Sequence, residues 1–373
     1  MAHSQKSKTG MALAYHGIGE PMSVKEYPLP TPEPGAVLVR IRLATICGSD
    51  LHVIRGEIDY RGAGLPVPII LGHEMMGEVA ALGAGVDKDS DNQPLSVGDR
   101  VVYSFFCSCG ECTYCISGRV ILCPNMRADR RRSCDVYPHF HGAFAEYFYL
   151  RPRHIILRAP DDMSDELLAP VNCGLATMIS AFRRLGSIEN SFVVFQGAGA
   201  LGLYGCALAR TLGAKHTVVI DRSTVRLQKA KAFGADTVVS FDDFPTSTSR
   251  IQRIRELSDQ LGAQVVVDAC GTPDAICEGV DMLRPGGRYL EVGSIGGKPS
   301  VFEPWKLVFG RKDMISSNLW TLEDLRDSIN FLRSSRSLFP FDTIVGATFP
   351  MRTIETAVIS ADIDNCVRVG LRP

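Results

Sequence analysis

The sequence predicts a two-part α/β protein, in which a β-rich region is followed by a region built on a parallel sheet. The length of 373 residues is the first indication, since domains average roughly 150 residues. Short apolar runs broken by Gly and Pro fill the chain up to about residue 169, which is typical of a barrel-like β region. Beyond it, strands alternate with helices, which indicates βαβ units and a parallel sheet.

The composition is that of an ordinary globular protein. Lys plus Arg total 40, Asp plus Glu total 41, the net charge is −1, and 45% of the residues are hydrophobic. This balance argues against binding of nucleic acid through bulk positive charge. The polar residues 1–10 lack the apolar core of a secretory signal, so we expect a cytoplasmic protein. The uncharged stretch 191–209 is long enough to cross a bilayer, but its four glycines and a Gln favour a soluble segment instead.

The β-rich region begins with a clear strand pattern. Val37, Val39, Ile41 and Leu43 alternate with Leu38, Arg40 and Arg42, the period of a half-exposed strand. A second apolar run, 66–72, is bounded by Pro and Gly. We therefore expect several short strands before residue 169.

Five of the twelve cysteines lie between residues 107 and 123, a lobe that we place at about 105–125. In a chain without a secretory signal, such a cluster indicates metal binding rather than disulfides. Four thiolates with spacings x2, x2 and x7 fit a closed tetrahedral zinc site of the structural type. They are Cys109, Cys112, Cys115 and Cys123. Spacing does not exclude Cys107 as a fifth candidate, and an iron–sulfur cluster is the competing interpretation.

The second region shows strand and helix patterns in alternation. The predicted strands are 192–195, 217–221, 265–268 and 288–292, with helices after the first two. A G-x-G-x-x-G motif follows the first strand, and its residues are Gly197, Ala198, Gly199, Ala200, Leu201 and Gly202. In a dinucleotide site, the first glycine permits the tight turn, the second admits the pyrophosphate, and the third allows close packing of helix on strand. The context makes a nicotinamide dinucleotide the expected cofactor.

An acidic residue, Asp221, ends the next strand nineteen positions after the motif. Its carboxylate can accept hydrogen bonds from both ribose hydroxyls of NAD and repels the extra phosphate of NADP. Arg222 follows directly and would favour NADP. NAD is therefore the predicted cofactor, with NADP as the alternative.

Three further segments complete the pattern: C-G-S-D-L-H at 47–52, G-H-E at 72–74 and N-C-G-L-A-T at 172–177. Together with the cysteine lobe and the glycine motif, they make the chain resemble the zinc-dependent medium-chain alcohol dehydrogenases over nearly its whole length. The resemblance implies a GroES-like β-rich catalytic domain, 1–169 and 313–373. A doubly wound Rossmann domain, 170–312, interrupts it.

The resemblance also implies two zinc ions per chain, one of them catalytic. Cys47 and His73 match the first two protein ligands of the catalytic zinc, and Cys173 matches the third. In some relatives an acidic residue takes the third place, and in several Glu74 itself approaches the metal. Two thiolates and one imidazole leave a fourth position open for substrate, as a catalytic zinc requires.

The remaining site residues follow from the same resemblance. Ser49 matches the hydroxyl that takes the substrate proton, and His52 matches the group that passes it to solvent. Asp50 is a candidate partner for a ligand histidine. The other expected cofactor contacts are Thr177, Arg226, Gly271 and Gly293. The last two also fit ordinary turns between strand and helix.

The predicted function is reversible oxidation of an alcohol to a ketone or aldehyde, with hydride transfer to NAD. Gly48, where ethanol-oxidising relatives have a basic residue, favours a secondary, cyclic or bulky alcohol. One alternative is an anionic alcohol, carboxylate- or phosphonate-bearing, bound by the arginines of 127–132. Others are an NADP-dependent reductase of the same fold, a zinc-independent quinone reductase and a non-catalytic dinucleotide-binding protein. The partners expected are a small-molecule substrate and further copies of the chain, in a homodimer or homotetramer, with neither nucleic acid nor membrane.

Overall fold

The computed structural model describes residues 8–128, 131–293, 296, 299–362 and 366–373. The chain divides into two compact units. The first unit comprises Met1–Cys173, Val345–Asp362 and Arg368–Pro373. The second comprises Gly174–Ile344 and Ile363–Val367.

In the described part of the chain, β-strands dominate the first unit and helices alternate with strands in the second. The strands are β1 (Thr9–Tyr15), β2 (Ser23–Pro28), β3 (Val37–Ile46), β4 (Ile69–Ile70), β5 (Glu74–Leu82), β6 (Arg100–Tyr103), β7 (Tyr147–Leu150), β8 (Ile156–Arg158), β9 (Phe192–Gln196), β10 (His216–Asp221), β11 (Thr237–Ser240), β12 (Ala263–Asp268), β13 (Leu283–Glu291), β14 (Asp313–Ser316), β15 (Val345–Pro350) and β16 (Arg368–Arg372). The helices are α1 (Gly48–Ile54), α2 (Thr113–Ile116), α3 (Asp165–Leu168), α4 (Ala176–Leu185), α5 (Ala200–Thr211), α6 (Thr224–Ala232), α7 (Ser247–Leu257), α8 (Ala275–Met282), α9 (Trp305–Gly310), α10 (Leu322–Ser335) and α11 (Ile354–Asp362).

The first unit is organised around strand β3. The larger sheet has the order β15-β16-β3-β5-β6-β8, with β7 also paired to β3, and a smaller sheet has the order β2-β1-β4. The strand predicted from Val37 onward is present, but it is more buried than its alternation suggested. Leu38, expected on the exposed face, is 3% exposed. Apart from Arg40 and Arg42, every residue of β3 is buried, so both faces of the strand meet protein over most of its length.

The second unit contains a parallel sheet of the Rossmann type. Its strand order is β11-β10-β9-β12-β13-β14, and every neighbouring pair is parallel. This is the doubly wound order 3-2-1-4-5-6, which confirms the predicted fold class. The four predicted strands correspond to β9, β10, β12 and β13, of which β13 begins earlier than expected. Fully buried apolar side chains of its strands, such as Val194, Val218 and Val266, belong to a hydrophobic core.

The second unit also extends past residue 312, the expected end of the inserted domain. Strand β14 pairs in parallel with β13, so it belongs to the same sheet. Helix α10 is tied to α4 by Arg183, whose guanidinium contacts the carboxylates of Asp324 at 2.7 Å and Asp327 at 2.5 Å. The segment after residue 312 therefore completes the parallel sheet and its helical cover.

The apolar stretch 191–209 is divided between two elements of this unit. Its first part forms β9, and its last part forms most of α5. The glycine motif covers the turn between them and the start of α5. Across the described residues, no helix is both long enough and apolar enough to span a bilayer.

Arg250 on α7 and Glu278 on α8 form a buried bidentate ion pair that provides a first test of the fold. The two bonds measure 2.7 and 2.8 Å, and the guanidinium lies 3.8 Å from the ring centre of Phe241. We expect Arg250→Ala to lower the free energy of unfolding by about 3–5 kcal/mol, because Glu278 would be left charged and without a counter-ion.

The matched control lies on the same helix. Arg253 pairs with Glu256 at 3.3 Å at the surface, and Arg253→Ala should cost only about 0.2–1 kcal/mol. Denaturant unfolding followed by circular dichroism measures both. Equal losses in the two variants would show that the buried pair is not specially stabilising.

Candidate active site

Helix α1 begins directly after Cys47, and its first turn is fixed by Asp50. Cys47 is the N-cap residue, and its backbone N–H donates to the Asp50 carboxylate at 3.0 Å. The Asp50 side chain also accepts from the backbone N–H of Gly72 at 3.2 Å. A single buried carboxylate therefore joins the start of α1 to the loop that precedes β5.

His73 lies on that loop, immediately before β5. Gly72 has φ +81°, and a Cβ on it would lie 2.5 Å from the Phe144 ring, so this backbone conformation requires glycine. The His73 ring packs edge-on against Phe105 at 5.0 Å between ring centres. Its Nδ1 faces the Asp50 carboxylate at 3.4 Å, which leaves Nε2 as the nitrogen that can bind a metal.

The third candidate ligand, Cys173, comes from a separate part of the same unit. Cys173 belongs to a π-helical turn, Val171–Leu175. Its neighbour Asn172 is fully buried, and the Asn172 amide donates to the backbone carbonyls of Tyr103 at 2.9 Å and His73 at 3.2 Å. This amide fixes the turn against the loop that carries His73. The sequence analysis included Asn172 in the N-C-G-L-A-T segment but assigned it no role.

The structure brings the four predicted residues of the catalytic site together. One ligand atom each from Cys47, His73, Glu74 and Cys173 lies within 4.8 Å of the others. Donors that bind zinc at about 2.0–2.3 Å in a tetrahedron are roughly 3.3–3.8 Å apart, so small side-chain shifts suffice. Thiolate and imidazole ligands favour zinc among common metals. The donor set therefore fits a catalytic zinc.

The electrostatics of the group prepare it for a cation. The hydrogen bond from Cys173 lowers the pKa of the Cys47 thiol well below its ordinary value, and Arg368 and His73 act in the same direction. The same hydrogen bond, together with burial, raises the pKa of Cys173. Burial opposes protonation of His73, yet Asp50 and the Cys47 thiolate raise its pKa to about 10. These shifts favour ionisation of Cys47, and a bound metal would displace protons from its ligands.

Glu74 makes a buried ion pair behind these ligands. Its carboxylate accepts two bonds from the Arg368 guanidinium, at 2.7 and 2.9 Å, and one from the Thr45 hydroxyl at 2.5 Å. Arg368 also lies 3.5 Å from Cys47 Sγ. Burial raises the pKa of Glu74 to about 7, against the effect of Arg368. Arg368 and Thr45 were missed from the sequence, because neither belongs to a local motif that includes Glu74.

Ser49 and His52 occupy one side of α1 beyond the ligands. The Ser49 hydroxyl lies 3.3 Å from His73 Nε2, next to the candidate metal position. His52 follows three residues later, so both side chains are on the same face of the helix. The His52 Nδ1 lies 2.5 Å from a carboxylate oxygen of Glu57.

The cysteine lobe forms a second group of ligands in the same unit. Its thiols are separated by 3.5 Å for Cys112–Cys115, 3.5 Å for Cys109–Cys123 and 3.9 Å for Cys109–Cys115. These separations match the edge of a tetrahedral zinc–thiolate site, about 3.8 Å. All four ligands are protein thiols, which is the composition of a structural site.

Local backbone explains how the lobe is shaped. Helix α2 holds Cys115 after the N-cap Cys112. Backbone N–H groups of Glu111 and Cys112 lower the pKa of Cys109 to about 6, whereas burial raises the pKa of Cys115 to about 11. Cys107 lies outside the group of four, and its thiol instead contacts the Pro152 carbonyl at 3.3 Å.

In the second unit, the glycine motif forms the turn between β9 and α5. Gly197 has φ +107°, and a Cβ on Gly202 would lie 1.9 Å from the Gly197 carbonyl oxygen. A Cβ on Gly199 would meet nothing within 4 Å, so this side of the loop is open to a phosphate. Ala200 and Leu201 form the first turn of α5, whose free N–H groups favour an anion.

Asp221 ends β10 beside this loop. Its carboxylate accepts from the backbone N–H of Ala198 at 2.6 Å and of Ser223 at 2.8 Å, which fixes its position. The Arg222 side chain is exposed, and its guanidinium lies 5.1 Å from the ring centre of Phe241. The acidic group is therefore fixed by the backbone, while the neighbouring cation lies over an aromatic ring.

The other expected cofactor residues are distributed around the same sheet. Thr177 is in the first turn of α4, and Arg226, on α6, donates to the Cys366 carbonyl at 3.3 Å. Gly271 and Gly293 follow β12 and β13, at the carboxyl edge where ligands of this fold bind. They are adjacent, since a Cβ on Gly293 would lie 2.7 Å from the Gly271 nitrogen.

The arginine-rich segment 127–132 is only partly described, because Asp129 and Arg130 lie outside the described residues. Arg127 lines a small cavity in the first unit, together with His141, His154 and aromatic side chains that include Phe105. Burial lowers the pKa of His154 to about 4, so this histidine is neutral. The cavity therefore offers one described arginine rather than the cluster expected for an anionic substrate.

Two family models match the chain. The alcohol dehydrogenase GroES-like domain matches residues 33–161, and the zinc-binding dehydrogenase domain matches residues 200–334.

The relatives found by sequence are dehydrogenases of alcohols. The chain is similar to 5-exo-hydroxycamphor dehydrogenase of Pseudomonas putida, with 34% identity over 282 residues that cover 74% of each chain. It is also similar to sorbitol dehydrogenase of Halalkalibacterium halodurans, with 29% identity over 86% of this chain and 87% of the relative. Among solved structures, an alcohol dehydrogenase from Thermotoga maritima superposes with a TM-score of 0.87 at 29% identity, over 98% of this chain and 100% of that one.

The two ligand groups predict separate losses of metal. We expect Cys112→Ser to lower the zinc content from about two to about one per chain, because a structural site needs all four thiolates. Cys47→Ser should remove the other zinc. Elemental analysis of purified protein by mass spectrometry measures both.

Cys107→Ser is the matched control, since Cys107 lies in the same lobe but outside the ligand group. It should keep both metals. Loss of zinc from this variant, or full zinc content in Cys112→Ser, would contradict the assignment.

Proposed function

Because the chain belongs to the zinc-dependent medium-chain alcohol dehydrogenase family, we propose that it reversibly oxidises an alcohol to a ketone or aldehyde with NAD as hydride acceptor. The observation that carries this proposal is the convergence of Cys47, His73 and Cys173 with the Ser49 hydroxyl beside the His73 ligand nitrogen. A group of candidate metal ligands with a candidate proton acceptor beside it supports alcohol oxidation. A purely structural metal site has no use for the hydroxyl.

Three of the four clustered side chains are proposed as zinc ligands. Both oxygens of Glu74 accept hydrogen bonds from Arg368, so this carboxylate is held back from the metal. Cys47, His73 and Cys173 would then hold the zinc, a set of three protein ligands of the kind found in catalytic sites. A zinc ion held there supplies Lewis acidity, which makes an alcohol hydroxyl easier to deprotonate.

The chain's own residues then manage the proton. The Ser49 hydroxyl can accept the proton of the substrate hydroxyl and pass its own proton toward His52 on the same helix face. NAD, when bound, would accept the hydrogen of the alcohol carbon as hydride, which would leave NADH and a carbonyl compound. The alcohol loses two hydrogens in total, one as the hydride taken up by NAD and one as the proton taken up by Ser49.

The second unit is proposed to hold NAD. The open side of Gly199 and the N-terminus of α5 would take the pyrophosphate. The fixed Asp221 carboxylate would accept hydrogen bonds from the ribose hydroxyls of the adenosine. The negative charge of Asp221 supports NAD over NADP, although the exposed Arg222, whose guanidinium lies over the Phe241 ring, is a neighbouring cation that would favour NADP.

For the substrate, we propose a secondary, cyclic or otherwise bulky alcohol. The relatives named for hydroxycamphor and sorbitol dehydrogenation support this class, since hydroxycamphor is a cyclic secondary alcohol. Gly48 adds no basic side chain at the start of α1. An anionic alcohol bound through the arginines of 127–132 is the second candidate, but the cavity that Arg127 lines has room for about one water molecule and does not support it.

We also propose a homodimer or homotetramer in the cytoplasm. Strand β14 is at the edge of the second unit's sheet, and apolar side chains nearby are exposed, namely Val308 at 73% and Phe309 at 83%. Edge strands and apolar patches of this kind are typical of protein–protein contacts. The reduced thiols that both ligand groups need favour a reducing compartment.

The reaction is tested by following NADH formation with a panel of alcohols, in the presence and absence of a zinc chelator. The panel runs from primary aliphatic through cyclic secondary and polyol to carboxylated and phosphonylated alcohols. We expect turnover to be fastest with cyclic secondary alcohols and to be lost after chelation. Turnover that survives removal of both metals would contradict a zinc-dependent mechanism.

Cofactor choice is tested at Asp221. We expect Asp221→Asn to lower kcat/KM for NAD by about 10–100-fold, since hydrogen bonds to a charged group contribute about 1.5–3 kcal/mol. Discrimination against NADP should weaken, because the negative charge is gone. Asp243→Asn, at an exposed carboxylate, is the control and should leave kcat/KM for NAD and the discrimination against NADP unchanged. An unchanged preference in Asp221→Asn would show that this carboxylate does not select the cofactor.

A further inference from the structure

The C-terminus of α1 has a backbone motif that places Glu57 beside His52. The backbone N–H of Glu57 donates to the His52 carbonyl at 2.8 Å, and that of Gly56 donates to the Val53 carbonyl at 3.1 Å. These two bonds form a Schellman motif, with Gly56 in the left-handed conformation at φ +77°. The chain therefore reverses at the end of the helix, and Glu57 returns to the turn that carries His52.

The side chains of these two residues meet directly. His52 Nδ1 and Glu57 Oε2 are 2.5 Å apart, and the side chains are 20% and 29% exposed. A carboxylate accepts from an N–H, so the neutral imidazole carries its proton on Nδ1 and has a free lone pair on Nε2. A carboxylate is also a favourable neighbour when the ring gains a second proton. The pair is thus a base with a fixed tautomer and a nearby counter-charge.

Nearby charged groups have partners of their own. Arg55 pairs with Asp362, and Arg61 pairs with Glu20 at 3.0 Å. Asp50, on the same helix as His52, accepts from the backbone at Cys47 and Gly72. Glu57, unlike Asp50, therefore contacts the His52 ring directly.

We propose that Glu57 is a positioning residue for proton release, which fixes the Nδ1–H tautomer of His52 so that Nε2 can accept the proton coming from the substrate. The proton bound at Nε2 makes an imidazolium, which the Glu57 carboxylate stabilises until the proton passes to solvent. This role rests on the proposed alcohol oxidation. The tautomer itself is a property of the protein and can be measured without turnover.

The first experiment is spectroscopic. The full-length protein is labelled with ¹⁵N at its histidine rings, and long-range ¹H–¹⁵N spectra are recorded, with the His52 signals identified by their loss in His52→Gln. We expect a protonated Nδ1 and an unprotonated Nε2 in the native protein. Glu57→Ala should move His52 toward the other tautomer, whereas Glu57→Gln should keep it, because the amide oxygen can still accept the hydrogen bond.

The second experiment measures alcohol oxidation by the same variants. Glu57→Ala should lower kcat about ten-fold, a part of the roughly 10²–10⁴-fold that a positioned acid–base group contributes, with little change in KM. Glu57→Gln should lower kcat less, because it keeps the tautomer and loses only the charge. Glu20→Ala and Glu20→Gln are the matched controls at an exposed, paired carboxylate, and should have no effect.

The outcomes are distinguishable. A changed His52 tautomer and a reduced kcat in Glu57→Ala support the proposal. An unchanged His52 spectrum overturns it, as does a changed spectrum with an undiminished kcat. If the native protein oxidises no alcohol in the panel, the proposed function fails and the relay role fails with it, while the spectra still decide whether Glu57 fixes the tautomer. A role confined to ending the helix would leave every readout unchanged, because that motif uses only backbone groups.

Discussion

The buried ion pair between Glu74 and Arg368 is the interaction on which the candidate zinc site depends. It joins the first residue of β5 to the first residue of β16, two strands that lie on either side of β3. Neither charge could be buried alone, since an unpaired buried charge costs several kcal/mol. The pair therefore fixes the register of the C-terminal strand against the sheet. It also places a guanidinium behind the Cys47 thiolate, where positive charge favours the ionised ligand.

Asp50 has a comparable role on the opposite side of the ligands. The same carboxylate caps α1 at Cys47, accepts from the Gly72 backbone and faces His73. Two ligands from distant parts of the sequence thus share one buried acceptor. The distance between Cys47 and His73 does not depend on a metal alone, because the contacts with Asp50 already hold both residues in place. This is the preorganisation that a catalytic metal site requires of the groups around its ligands.

The sequence was sufficient where function is encoded in a short segment. The glycine motif, the four-cysteine lobe and the C-G-S-D-L-H segment could each be located because spacing and residue type carry the chemistry. It was insufficient where the fold brings distant residues together. Arg368 is 294 positions from Glu74, and no local pattern links them. The extent of the second unit was equally hidden, because β14 and α10 belong to it through pairing and packing, not through composition.

The two groups of candidate metal ligands also differ in how far apart their residues lie along the chain. The lobe draws all its ligands from fifteen consecutive positions between Cys109 and Cys123, so closing that loop around a zinc costs little chain entropy. The catalytic group needs Cys47, His73 and Cys173, and its charge balance needs a strand from the end of the chain. It can form only when the first unit is complete. A metal at the lobe would therefore need only local chain closure, whereas the group of Cys47, His73 and Cys173 depends on the completed fold of the first unit.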